Sequence, residues 1–324
     1  MSEYYFVEKP CIDELVKLGY QWINPDNNEL LRDGLKNVIL KNIFISQLQK
    51  INNISEDDAR AVYYELLKIQ NNEEWTKILR GNYSRTVLGE SKKKTIRLID
   101  FLDTKNNIFS LINQFSVKGL KNRIPDIVLF VNGIPLVVIE AKSPLSLKDK
   151  TGEAFEQIKQ YERDIPILFY TNLFNIITDG NNLLYGATGS SSEFWGYWRD
   201  PWPKKSQDFE STLAQDLYAL CAPERLLDIL AHFVVFEKDE KTKKIIKKVC
   251  RYQQYRAVNK IYERIKDDKH KKGLIWHTQG SGKSLTMVYT VLKLKAHLTL
   301  TNSEIANPNI LVLTDRTNLD KQIS

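Results

Sequence analysis

Asp126, Glu140 and Lys142 stand at the two ends of the stretch IPDIVLFVNGIPLVVIEAK, two apolar runs joined at Asn132-Gly133. Two carboxylates are hard oxygen ligands suited to magnesium, whose remaining positions accept water and a phosphate oxygen. A metal held there lowers the pKa of its bound water and neutralises charge on phosphorus. A lysine beside them would orient the attacking water or steady the transition-state charge. Phosphodiester hydrolysis is the chemistry that such a trio suits. The same residues also fit a solvent-facing ion-paired rim, and their types alone leave both readings open.

Geometry sets a condition. Asn-Gly is the strongest short hairpin signal, but a plain two-residue loop at Asn132-Gly133 would set Asp126 opposite Ile139 and send Glu140 to the other face. A three-residue loop, with Gly133 in the left-handed conformation, or an equivalent bulge brings Asp126, Glu140 and Lys142 to one face. The sequence predicts one of these two devices.

A second constellation lies at HTQGSGKS, between an apolar run, GLIWH, and a helical pattern. That is the setting of a phosphate-binding loop. Gly280 and Gly282, with Thr278 and Ser281 around them, let backbone amides turn onto phosphate oxygens at a helix N-terminus. Lys283 would reach the outer phosphates, and Ser284 would place its hydroxyl on magnesium. His277 occupies the position where the loop pattern starts with glycine. Upstream, the Gln254 amide in RYQQYRAV matches the donor and acceptor edge of adenine; a solvated helical glutamine is the alternative.

The elements that must position these groups read as α/β. Residues 1–100 carry helical spacing in IDELVKLGY and LRDGLKNVILKNIFISQLQKI, separated by polar segments, with Gly19 suited to a helix end. TIRLIDF, IFSLINQFSV and the hairpin read as strands, followed by a helix over 151–163 and strands IPILFYT and FNIIT. GATGSSSEFWGYWRDPWPKK reads as surface loop with aromatic anchors, and TLAQDLYALCAPERLLDILAHF as helix. The charge-dense EKDEKTKKIIKKVC predicts a connector, giving domains at 1–235 and 251–324 with 236–250 between them. The last region predicts a strand–helix–strand unit of a parallel sheet, ending in NILVLT. The 324 residues, 42% of them hydrophobic, suffice for ordinary cores. No run reaches the roughly 18 apolar residues of a membrane helix, so no membrane partner is expected and the cytoplasm is the default. Three scattered cysteines indicate neither a disulfide framework nor a zinc site. The charge of +7 leans towards a polyanion, weakly.

Pro125-Asp126 followed by Glu140-Ala-Lys142 resembles the PD-(D/E)xK nuclease motif, and PDIVLFVNGIPLVVIEAKSP looks like the nuclease domain of the R subunit of type I restriction enzymes. Gln157 and Tyr161 in EQIKQY match that family's Q-x-x-x-Y element; at i and i+4 they share a helix face. WHTQGSGKSLTM resembles its first helicase motif, histidine included, RYQQYRAV its adenine-reading Q motif, and ILVLTDRTNLDKQ its next helicase motif. The resemblance implies a mixed nuclease sheet flanked by helices, followed by the start of a RecA-like motor domain. It assigns cleavage to Asp126, Glu140 and Lys142, and positioning of DNA or of the site to Gln157 and Tyr161. It further implies Mg2+ and ATP as cofactors, double-stranded DNA as substrate, and methyltransferase (M) and specificity (S) subunits as partners. Because no later helicase motif appears, the chain is expected to be an N-terminal piece without ATP turnover of its own. A non-catalytic docking module on a degenerate nuclease fold, or a helicase-nuclease of repair, are the competing readings. Lys92, Lys93, Lys94 and Arg97 would touch phosphates or form a solvated loop, and Glu8 or Glu29 would support the metal site, with no basis for choosing between those two.

Overall fold

The computed structural model describes residues 4–27, 29–89, 91–142, 150–240, 242–267, 269–270, 272–296 and 308–313. In chain order, α1 (Lys9–Lys17) leads into the short strand β1 (Gln21–Ile23), and α2 (Lys41–Asn52), α3 (Glu56–Leu66) and α4 (Asn72–Leu79) follow. Side chains set these starts: Ser55 accepts from the Asp58 amide and Asn71 from the Glu74 amide, satisfying donors that a helix cannot satisfy itself. Gly19, at φ +105°, turns the chain out of α1. A small hairpin, β2 (Ser84–Thr86) with β3 (Lys93–Thr95), precedes β4 (Phe109–Asn113), a second small hairpin of β5 (Val117–Lys118) and β6 (Asn122–Arg123), and the long pair β7 (Ile127–Val131) and β8 (Ile134–Ala141). Then come α5 (Lys150–Asp164), β9 (Phe174–Thr178), β10 (Leu183–Gly186), β11 (Gly196–Tyr197), α6 (Thr212–Cys221), α7 (Pro223–His232), the hairpin β12 (Val234–Lys238) and β13 (Ile245–Val249), α8 (Tyr252–Asp267) and α9 (Lys283–Lys295).

One mixed sheet organises the nuclease-like part, in the order β1-β4-β7-β8-β9-β10-β11. β4 and β8 flank β7 and each runs antiparallel to it, whereas β9 lies parallel to β8. That parallel step needs a crossover, and α5 supplies it. Both faces are covered, which is why β7 and β8 read as unbroken apolar runs. Ile127, Leu129 and Val131 point into the larger core with α1 to α4, α6 and α7. Val128 and Phe130 point into the smaller one, where Ala154, Ile158 and Tyr161 of α5 recur on one helical face.

Several expected elements differ. The segment from Arg32 to Val38 is not helix: Gly34 takes φ +75°, and Arg32 donates to the Asn37 carbonyl across the turn. TIRLIDF is strand only through Thr95, because asparagine side chains replace a ladder: Asn52 brackets Arg97 through both its amide and carbonyl, and Asn132 donates to the Leu98 carbonyl. IPILFYT forms a 3-10 turn at Pro166–Phe169, and Asn72 donates to the carbonyls of Phe169, Tyr170 and Asn172. The charged stretch after Phe236 folds as the β12–β13 hairpin, with Lys247 buried and donating to the Asn172 carbonyl. The run GLIWH makes no ladder, with Leu274 and Trp276 exposed, and residues 308–313 form no strand either. A parallel strand is stable only between neighbours, and among the described residues neither run has one. The rest of ILVLTDRTNLDKQ, from residue 314, lies outside the described residues, as do Ser143 and Pro144.

Candidate active site

The Asn132-Gly133 turn is the two-residue kind, both residues left-handed at φ +52° and +78°. It is buried. Asn132 donates to Leu98 and Asn107 and accepts from the Ile108 amide, while the Gly133 carbonyl accepts from the Leu40 amide. A Cβ on Gly133 would stand 2.7 Å from the Leu40 carbonyl oxygen, so glycine is required twice over. Such a turn alone would separate the acids, and the alternative device restores them. Val131 pairs with Ile134 and Phe130 with Pro135, but Leu129 pairs with Val137, leaving Leu136 as an extra residue on β8. Leu136 and Val137 both enter the larger core, and Leu136 uses its carbonyl to accept from the Leu173 amide at 2.6 Å. From there the ladder runs Val128 to Val138 and Ile127 to Ile139, so the next position sets Asp126 against Glu140, on the face that α5 covers. The three-residue loop is thus not used; the bulge is.

Asp126 is fixed at both ends: its carbonyl accepts from the Gln114 amide, and its Oδ2 accepts from the Ala141 amide at 2.8 Å. Glu140 is wholly buried, and its Oε1 accepts from Lys142 Nζ at 2.7 Å. Its Oε2 is buried without a hydrogen-bond partner among the described residues. Burial, and then the nearby Asp126 charge, push the Glu140 carboxyl up to about 8, although Lys142 and the Tyr161 hydroxyl pull the other way. A carboxylate oxygen left without a donor in a dry site costs free energy that a cation would relieve. The pair therefore fits a magnesium ion, which asks for one or two carboxylates and keeps waters. No group of three or more His, Cys, Asp or Glu side chains suited to a metal occurs among the described residues.

The α5 residues reach the same place. Gln157 donates to the Tyr161 hydroxyl at 2.6 Å, that hydroxyl donates to the Ile124 carbonyl at 3.4 Å, and burial followed by Glu140 raises the Tyr161 phenol above its usual range. Of the two early acids, Glu8 is the one near the site: it is buried and accepts from Gln114, whose amide holds Asp126. Glu29 lies on an exposed 3-10 turn. Spacing does not single out Glu8 over Glu29, because the contact depends on Gln114, a residue with no chemical signature of its own. Lys93 and Lys94 lie on the β2–β3 hairpin, with Lys92 just before it, and Arg97 is held through its backbone by Asn52.

The glycine loop forms a turn before α9, with Gly280 at φ +77° and Gly282 at φ +79°. Lys283 Nζ folds back onto the carbonyls of Thr278, at 2.9 Å, and His277, and Ser281 donates to Thr278. Ser284 stands in the first turn of α9. Gln254 is buried, accepts from the Arg251 amide and donates to the Gly282 carbonyl, so in this arrangement its amide staples the loop. A Cβ on Gly282 would collide with it. Behind the loop, Lys293 of α9 pairs with Asp228 of α7 at 2.6 Å and donates to Asn259 of α8, while His232 Nδ1 lies 2.7 Å from Asp228.

A mixed sheet carrying paired carboxylates and a lysine at a hairpin mouth, joined to a phosphate-loop helix, defines a composite chain with a nuclease-like part and the beginning of an ATPase-like part. The family model described as type I restriction enzyme R protein N terminus matches residues 1–194, and that of the SWI2/SNF2 ATPase matches residues 253–324. The chain belongs to the type I restriction enzyme R protein family. The Type I restriction enzyme HindI endonuclease subunit of Haemophilus influenzae is 33% identical over 98% of this chain and 32% of its own length. MjaVIIIP of Methanocaldococcus jannaschii is 33% identical over 98% of the chain and 31% of its own length, and a Staphylococcus aureus type I restriction enzyme endonuclease subunit is 27% identical over 98% and 32%. The chain thus spans about a third of the length of these relatives. No helix among the described residues is long and apolar enough to cross a membrane.

Proposed function

We propose that this chain holds the DNA-cleaving site of a type I restriction–modification complex, cutting double-stranded DNA in a magnesium-dependent step coupled to ATP-driven translocation. The observation that carries the reading is the β8 bulge, which sets Asp126 against Glu140 beside Lys142 and leaves a buried carboxylate oxygen without a donor. Asp126 and Glu140 would hold Mg2+. When bound, it supplies a water of lowered pKa and neutralises charge on the phosphoryl oxygens. Lys142, released from Glu140, then faces the charge that develops on phosphorus. Gln157 fixes the Tyr161 hydroxyl, which steadies the strand before Asp126 through the Ile124 carbonyl.

Residues 1–235 form the nuclease unit in this reading, 236–250 the joint, and 251–324 the start of the motor. Thr278, Gly280, Ser281, Gly282 and Lys283 would cradle the ATP phosphates, Ser284 would bind their Mg2+, and Gln254 would reach adenine after leaving Gly282. Methyltransferase and specificity subunits would choose the site, in the cytoplasm. The test is cleavage of closed-circular plasmid by the assembled enzyme with Mg2+ and ATP. Asp126→Ala, Glu140→Ala and Lys142→Ala should each abolish cleavage while ATP hydrolysis continues. Undiminished cleavage by Asp126→Ala would sink the assignment.

A further inference from the structure

The β5–β6 hairpin sits between β4 and β7 and ends two residues before Pro125-Asp126. Its tip is unusual for a connection: Leu120 is 83% exposed, and Lys118 and Lys121 are exposed on either side of it. Neither lysine has an ion-pair partner among the described residues. A loop needed only to join two strands would be polar and mobile. This one is fastened. The Lys118 amide donates to the Leu35 carbonyl at 2.9 Å, the Leu120 amide donates to the Asp164 carbonyl at 2.7 Å, and Arg123 Nε donates to the Asp164 carboxylate at 2.7 Å. A Cβ on Gly119 would collide with the Asp164 carbonyl, so the turn is pressed directly against the end of α5. The helix that carries Gln157 and Tyr161 therefore also anchors the tip, which keeps Leu120 and the two lysines presented to solvent.

We propose that this hairpin is a contact for duplex DNA: Lys118 and Lys121 on backbone phosphates, Leu120 against the sugars and base edges of the minor groove, registering the scissile strand over Asp126 and Glu140. Apolar side chains offered at a minor groove are a known way of gripping duplex. The reach fits, since Lys121 is five residues from Asp126, at most about 18 Å of extended chain, or roughly half of a duplex turn of about 34 Å. The inference rests on the nuclease reading above.

The experiment compares the wild-type full chain with Lys118→Ala/Lys121→Ala and with Leu120→Ala. Affinity for a labelled duplex is measured without divalent metal over a salt series, and cleavage with Mg2+ in the assembled enzyme. Two lost phosphate contacts should lower the slope of log K against log salt by about 1.8 and slow cleavage. Leu120→Ala should slow cleavage at an unchanged slope. All variants should melt with the wild type, because the anchoring groups are backbone amides and Arg123. If the wild type cleaves and both variants match it in slope and rate, the hairpin has no such role and the nuclease reading stands. If the variants lose only association with the other subunits, the tip is a protein contact and the proposal fails. Were the wild type not to cleave at all, the nuclease reading would fall, and the salt slopes would still decide whether the tip touches DNA.

Discussion

Glu140 concentrates the chemistry of the site in one side chain. Its carboxyl, held near 8 chiefly by burial, takes up a proton in the folded protein at a pH where the unfolded chain has lost it. Between about 4.5 and 8 the native state thus binds more protons, and stability falls as pH rises, by at most about 1.4 kcal/mol per unit. Equilibrium unfolding of the metal-free protein should show that decline, and Glu140→Gln should flatten it. Added Mg2+ should stabilise the wild type more at pH 8 than at pH 6, because the ion needs the ionised carboxylate. Parallel pH profiles for wild type and Glu140→Gln would contradict this account. The identities of Asp126, Glu140 and Lys142 were legible from the text; the orphaned oxygen was not, since it depends on which donors the folded chain leaves within reach.

At the level of elements, parity is what the hairpin solves. The requirement that the acids share a face was legible from spacing, as were the Asn132-Gly133 turn, β9 and α5, all of which show strong local periodicity. The position of the bulge was not, because Leu136 looks like any other apolar strand residue; only packing of both Leu136 and Val137 into one core reveals it. Deleting Leu136 should give a regular two-residue hairpin that still sets Asp126 against Glu140. Cleavage should survive, at a cost of about 2–5 kcal/mol for the lost buried leucine. Inserting one alanine after Val137 extends the ladder by one position, sets Ile139 against Asp126 and turns Glu140 to the other face, and it should abolish cleavage while leaving the protein folded. A folded, inactive Leu136 deletion would refute the parity argument. Misread elements share a cause: in TIRLIDF and IPILFYT, side-chain amides of Asn52, Asn72 and Asn132 satisfy backbone groups that a ladder would otherwise take, and no period in the sequence announces such distant partners.

Across the whole molecule, α7, α8 and α9 meet through a charged core. Burial alone would raise the Asp228 carboxyl, but Lys293 and His232 outweigh it and hold the group well below the usual carboxylate range. Its contribution is therefore present at neutral pH and lost as pH falls through the acid range. Asp228→Ala should destabilise the protein by about 3–5 kcal/mol by stranding Lys293, whereas Asp228→Leu/Lys293→Met should recover most of that loss; denaturant titration of the three proteins distinguishes these outcomes. Equal stability of the single and double variants would show that the pair is not coupled. The buried turn at Asn132-Gly133 carries a separate implication for the time course of folding. Hairpin tips ordinarily close early and locally, yet here the tip is satisfied by Leu98, 34 residues upstream, and by Leu40 at the start of α2. Such distant partners raise the contact order and slow assembly, so the register that sets Asp126 against Glu140 is tied to contacts with the N-terminal region and not to the hairpin alone.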